Sequence, residues 1–186
     1  MSAQEYYEEY WGRSHPPPLD DPLAPTRSRL LWQLAEEAGL RGRFLEVGCG
    51  AGDIVAEAQR RGFDALGVDI AGRALELARE RHPDCQFIVH VAEERPWPIE
   101  PGSVDLIASF EVIEHLLRPA ELVKGAAEAL RAGGRFALTT PYHGLLKNLA
   151  IALGGFDRHF AAEGDHIRFF SDAGLWAGVF VWARRR

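Results

Sequence analysis

The sequence predicts a doubly wound α/β fold, a mostly parallel sheet with helices on both faces. Three observations carry that expectation. Five short apolar runs of strand length alternate with helical stretches. The first run empties into a glycine-rich turn, Gly48-Cys49-Gly50-Ala51-Gly52. The second ends in an acid, Asp69, where an open sheet of this kind collects its ligands.

Along the chain, residues 1–14 place Tyr6, Tyr7, Tyr10 and Trp11 among glutamates and predict a short amphipathic helix. His15-Pro16-Pro17-Pro18 stops it, so residues 1–25 read as an aromatic segment plus linker, ahead of one domain over 26–186. Thr26 is expected to cap a helix bearing Leu30, Leu31, Leu34 and Ala38, ended by Gly39. Strands are expected at Arg43–Val47, Asp64–Val68, Gln86–Val91, Val104–Phe110 and Phe136–Thr140. The fourth is almost wholly apolar, as befits a strand buried on both faces. Helices are expected at Ile54–Arg61, Arg73–Arg81 and Ala120–Arg131, with Gly133-Gly134 following the last.

The 186 residues suffice for one domain with a real core. A hydrophobic share of 47% and a charged share of 26% are ordinary for a water-soluble domain, and a net charge of −6 disfavours a nucleic-acid partner. Cys49 and Cys85 are the only cysteines, one inside the turn and one opening a strand, which fits a reducing compartment rather than a disulfide framework. No apolar run long enough to span a membrane is present, and the acidic start is unlike a secretory leader. The expected location is the cytoplasm.

Glycine at alternate positions 48, 50 and 52 permits positive φ and lets a ligand lie against bare backbone, near the free N–H groups of the next helix. The dinucleotide fingerprint would need glycine where this chain has Asp53, an acid that opposes a pyrophosphate. A ligand without phosphates is therefore preferred.

Phe44-Leu45-Glu46-Val47-Gly48-Cys49-Gly50-Ala51-Gly52, followed by Ala65-Leu66-Gly67-Val68-Asp69-Ile70, resembles the first two motifs of class I S-adenosylmethionine (SAM)-dependent methyltransferases. The likeness extends over about residues 26–172 and implies a Rossmann-like sheet that binds SAM. It implies cofactor contacts at Glu46, Gly48, Cys49, Gly50, Gly52, Asp69, Ile70, Val91, Ala92, Glu93 and Phe110. Asp69 would accept the ribose hydroxyls, and Glu46 would orient the turn and the methionine amino end. Two departures stand out. The pair that usually meets adenine after the third strand is His90-Val91 here, leaving the Val91-Ala92 backbone or Glu93 for that contact. The antiparallel pair that usually closes the sheet is reduced to one expected strand, Leu175–Ala183, a shortened edge rich in Trp176, Val179, Phe180 and Trp182 that could pair two copies into a homodimer.

After the fourth strand, Glu111-Val112-Ile113-Glu114-His115 would place Glu111, Glu114 and His115 on one face of a helical turn. This resembles the O-methyltransferases of ubiquinone biosynthesis, and also small-RNA terminal ribose methyltransferases that hold a divalent metal with such a motif plus a downstream histidine. His166 best matches that histidine, so one reading is a Mg²⁺, Mn²⁺ or Zn²⁺ site of Glu111, Glu114, His115 and His166. The other is a metal-free site in which His115, or His143 behind it, takes the acceptor's proton, or in which the motif merely packs. Residues 141–170 lie where this fold inserts substrate lids, and the aromatic N-terminal segment is either a lid over the cofactor or an anchor. The expected reaction is methyl transfer to a small hydroxylated acceptor. RNA ribose methylation and a catalytically silent SAM-binding scaffold are the alternatives.

Overall fold

The computed structural model describes residues 2–12, 22–141 and 178–185, with backbone only for 178–183. The elements are α1 (Ala3–Trp11), α2 (Ala24–Glu37), β1 (Arg43–Val47), α3 (Asp53–Arg60), β2 (Asp64–Asp69), α4 (Gly72–Arg81), β3 (Gln86–Val89), β4 (Val104–Phe110), a 3₁₀ turn (Ile113–His115), α5 (Pro119–Ala129), β5 (Leu130–Pro141) and β6 (Gly178–Arg184). They form one sheet in the order β3-β2-β1-β4-β5-β6. Every pairing is parallel except β5 with β6. The strand order reverses between β1 and β4, and ligands settle at the strand ends beside such a switch.

Alternation along β1 sets the two layers. Phe44 faces a core with Leu31 and Trp32 of α2, Val55 of α3, and Leu75 of α4. Leu45 and Val47 face the other, with Ile107 of β4, Trp97, and Leu122 and Ala126 of α5. Trp32, Phe44 and Phe63 make mutual ring contacts with centroids 5.6 to 6.1 Å apart, which fix α2 on the sheet. Cys49 and Cys85 are both free. No helix among the described residues is long and apolar enough to cross a membrane.

Several boundaries differ from expectation. α2 begins at Ala24 and takes Pro25 into its first turn, so Thr26 lies inside the helix and does not cap it. β3 stops at Val89, leaving Val91 and Ala92 in the loop over the sheet end. β5 starts at Leu130 and carries Gly133-Gly134 within it: the register with β4 jumps from Leu130 to Arg135, so the glycines bulge out of that pairing, while the Gly133 N–H and the Gly134 carbonyl bond to the Arg185 backbone. At the far edge, β6 is described over Gly178–Arg184, one residue past the expected end at Ala183, and residues 175–177 of the expected strand lie outside the described residues. Tyr142, His143 and His166 lie outside the described residues, as does nearly all of the 141–170 insertion.

Gly67 shows how tightly the turn after β1 is pressed onto β2. A Cβ there would lie 2.8 Å from the Cys49 sulfur, 2.8 Å from the Phe87 ring and 2.9 Å from Val55. Gly67→Val should therefore overpack this layer and cost about 1–3 kcal/mol. The expected readout is a lower urea midpoint at unchanged slope; an unchanged midpoint would mean that the layer yields.

Candidate active site

The turn after β1 is strapped to its neighbour, since the Gly48 and Cys49 N–H groups both donate to the Val68 carbonyl, at 2.8 and 3.1 Å. Gly48, Gly50 and Gly52 all have positive φ, between 49° and 80°. At Gly48 the space a Cβ would need is filled by Val112, 2.3 Å away, so only glycine fits.

Asp69 joins this turn to the next. One carboxylate oxygen accepts the Gly50 N–H at 2.9 Å and the other accepts the Ala71 N–H at 2.9 Å. The residue is only 8% exposed. Burial raises its pKa, against the pull of the backbone N–H donors of Ala71, Gly50 and Ile70. The carboxylate has about four lone-pair sites, more than these donors fill, and Asp69 lines the cavity at the strand ends.

Glu46, on the α3 side of β1, is 4% exposed, and one of its oxygens is buried without a partner. Burial raises its pKa well above the ordinary carboxylate value, and the charges of Asp69 and Asp53 add to this, while the Val55 N–H at the start of α3 lowers it. That contact substitutes for a side-chain cap, which Gly52 cannot provide to α3.

A cavity of about 270 Å³ opens at the carboxyl ends of β1, β2 and β4. Of the residues expected at a cofactor, Gly48, Gly50, Asp69, Ile70, Val91, Ala92, Glu93 and Phe110 line it, together with Glu111 and His115. Glu46, Cys49 and Gly52 are not among the lining residues and shape it from behind. Burial pushes the Cys49 thiol up, so it is packed rather than reactive. Glu93 accepts the Arg118 N–H with one oxygen, which fixes the loop after β3 to the start of α5. Val112 and Leu116 also line the cavity, and nothing in their apolar spacing separates them from core residues. Tyr7, Tyr10 and Trp11 of α1 form a further wall.

Glu111 does not share a helical turn with Glu114 and His115, since the 3₁₀ turn covers only Ile113–His115. Glu111 precedes the 3₁₀ turn in a left-handed conformation, φ 55°, which only a well-held non-glycine residue keeps. Its carboxylate accepts the Thr139 hydroxyl at 2.8 Å and lies 3.8 Å from Arg27. Glu114, 1% exposed, accepts the Thr140 hydroxyl at 3.2 Å. Thr139 and Thr140 thus each hold one of the two carboxylates, which stay near enough that the Glu111 charge adds to the effect of burial in raising Glu114. Burial raises Glu114 to about 7, opposed by a backbone hydrogen bond and by the nearby His115. The Glu114 oxygen that lacks a hydrogen-bond partner lies 3.8 Å from His115 Nε2. Among the described residues no group of three or more His, Cys, Asp or Glu side chains is arranged to hold a metal, so these three do not compose a metal site by themselves.

A wider open groove of about 740 Å³ runs between α2 and α3, but it holds neither the glycine turn nor Asp69. The chemistry therefore falls to the smaller cavity.

A family model described as a methyltransferase domain matches residues 45–138, the span from the glycine turn through β5, and the chain belongs to this family of class I, SAM-dependent methyltransferases. It is 32% identical over 119 residues to the ubiquinone biosynthesis O-methyltransferase of Acinetobacter baylyi, an alignment covering 60% of this chain and 49% of that protein. The chain thus spans about half the length of such relatives. Among solved structures it is similar to the PH0226 protein of Pyrococcus horikoshii (26% identity, TM-score 0.61, 80% of this chain and 70% of that one). It also shares its fold with phosphoethanolamine N-methyltransferase 2 of Haemonchus contortus, solved with S-adenosyl-L-methionine (24% identity, TM-score 0.56, 68% of this chain and 32% of that one).

The buried acid behind the turn has a measurable cost. Because folding raises the Glu46 pKa, the folded state holds the proton more tightly than the unfolded chain does. Its contribution to stability is fullest below the ordinary carboxylate range and is lost as pH rises toward the raised value. Glu46→Gln should therefore melt higher than wild type near pH 8, with the gap narrowing toward about pH 5. A gap that stays constant across that range would contradict the assignment.

Proposed function

We propose that this chain transfers the methyl group of SAM to an oxygen of a small hydroxylated molecule, with His115 as the base. The observation that carries the reading is that one cavity, at the carboxyl ends of the strands, gathers the glycine turn, the Asp69 carboxylate and the His115 imidazole. When bound, the sulfonium cofactor supplies an already activated methyl group, so the protein's task is chiefly positioning. Asp69 would hold the cofactor's ribose hydroxyls, the glycine turn after β1 would let it lie against bare backbone, and the Val91-Ala92 backbone with Glu93 would meet its adenine ring. Family membership and the curated O-methyltransferase relatives support this reading.

His115 lines the same cavity, beside the Tyr7 ring at 6.1 Å between centroids. An imidazole exchanges protons near neutral pH, which suits it to take a hydroxyl proton as the oxygen attacks. A metal-assisted version would depend on His166 to complete the donor set.

The test is transfer of labelled methyl from SAM into a fractionated cell extract, with and without EDTA. Label is expected in the small-molecule fraction. His115→Ala should lower the rate about 100-fold or more, while S-adenosylhomocysteine affinity stays within about twofold. Asp69→Ala should instead weaken that affinity roughly 100-fold. Full activity in His115→Ala would remove the base, and loss of label with EDTA would promote the metal. Label in RNA, or tight cofactor binding with no label anywhere, would overturn the proposed acceptor or the reaction itself.

A further inference from the structure

We infer that the sheet carries a second binding site, at the end opposite the cofactor cavity, where Arg131, Arg135 and Arg184 hold the phosphoryl group of a small soluble anion. This site is independent of what the cavity binds. It begins with an irregularity in β5. Between Leu130 and Arg135 the strand bulges out of its register with β4, and Gly133 takes a positive φ of 82°. The bulge is held from its other side: the Gly133 N–H donates to the Arg185 carbonyl at 2.9 Å, and the Arg185 N–H donates to the Gly134 carbonyl at 3.1 Å. A bulge of this kind re-aims the side chains around it.

Here it brings three arginines together. Arg135 of β5 and Arg184 of β6 are register partners in the antiparallel pair. Residues directly opposite each other hold their Cβ atoms about 5 Å apart on one face, and like charges in that position repel. Arg131, inside the bulge, reaches the same place. Its Nη1 lies 3.6 Å, and the Arg184 Nη2 lies 4.0 Å, from where a Gly133 Cβ would be. The Arg135 Nη1 donates to the Gly133 carbonyl at 2.6 Å, and the Arg131 Nη1 donates to the Ala132 carbonyl at 3.1 Å. These backbone acceptors fix two of the guanidinium groups without neutralising them. Arg131 also pairs through Nε with Asp105, whose other oxygen is committed to the Arg43 N–H. Arg135 and Arg184 have no acidic partner among the described residues.

A chain of net charge −6 thus gathers three guanidinium groups against one carboxylate at a single bulge. An anion placed among them relieves the repulsion, and the planar guanidinium fork matches phosphoryl oxygens better than it matches a spherical halide. Arg184 is exposed and the Arg131 side chain is 46% exposed, so the ligand reaches them from solvent. Neighbouring Arg43 is paired with Asp64, so the uncompensated charge does not extend into the basic stripe that a nucleic-acid backbone follows. One phosphoryl group fits the cluster better than a polyanion does.

The test is a ¹⁵N–¹H titration of the full chain with inorganic phosphate at fixed ionic strength, with sodium chloride as the matched control. Phosphate should shift the Gly133, Gly134 and Arg185 amides saturably and raise the melting temperature, while chloride does neither. Arg184→Gln should weaken phosphate binding about tenfold, and Arg184→Lys by less, because lysine keeps the charge but not the fork. The exposed Arg184 side chain has no hydrogen-bond partner among the described residues, so both variants should fold. Equal shifts with chloride would reduce the effect to screening and overturn the site. Unaltered phosphate binding in Arg184→Gln would overturn the arginine assignment. No response to phosphate, with Arg184-dependent retention on an RNA oligonucleotide or on phosphatidylglycerol vesicles, would overturn the small soluble ligand.

Discussion

A buried carboxylate ties together the two turns between which the cavity opens. Asp69 holds the Gly50 N–H with one oxygen and the Ala71 N–H with the other, so the crossings from β1 to α3 and from β2 to α4 cannot move independently. The straps from Gly48 and Cys49 to the Val68 carbonyl complete the join. The glycine backbone that lines the cavity, the start of α4 and the Asp69 carboxylate itself all depend on this arrangement.

The site is built at some expense to the fold. Glu46 and Glu114 each bury an oxygen with no partner, and burial lifts both acids out of the ordinary carboxylate range. Glu111 keeps a backbone conformation that a non-glycine residue resists. Such features persist only where the surroundings over-determine them. Here the two apolar layers do so, one anchored by the Trp32, Phe44 and Phe63 rings and the other by Trp97 against Gly125, where a Cβ would come within 2.3 Å of the indole.

Most of the sheet was legible in the sequence because its signals are local: apolar runs of strand length, a turn of alternating glycines, an acid at a strand end. The same locality explains the misreadings. Thr26 looks like a helix cap until Pro25, one residue earlier, is seen to start the helix itself. Gly133-Gly134 reads as a break, yet backbone hydrogen bonds with Arg185 keep both inside β5 although they bulge out of the pairing with β4. The spacing of Glu111, Glu114 and His115 is helical on paper, but Thr139 and Thr140, far along the chain, each capture one of the two carboxylates. The Glu8 carboxylate accepts the Gly72 and Arg73 N–H groups from far along the chain, and the sequence carries only an indirect trace of it, a helix whose N-cap is Ala71.

The central claim is that the cavity beside Asp69 binds the SAM nucleoside through the groups that now join the two turns. A ¹⁵N–¹H correlation spectrum of the full chain, titrated with S-adenosylhomocysteine, tests this most directly. The Gly48, Gly50 and Ala71 amides should move first and furthest, saturating at one equivalent, as ribose hydroxyls begin to share the Asp69 oxygens. A spectrum that does not change, or changes confined to the groove between α2 and α3, would contradict it.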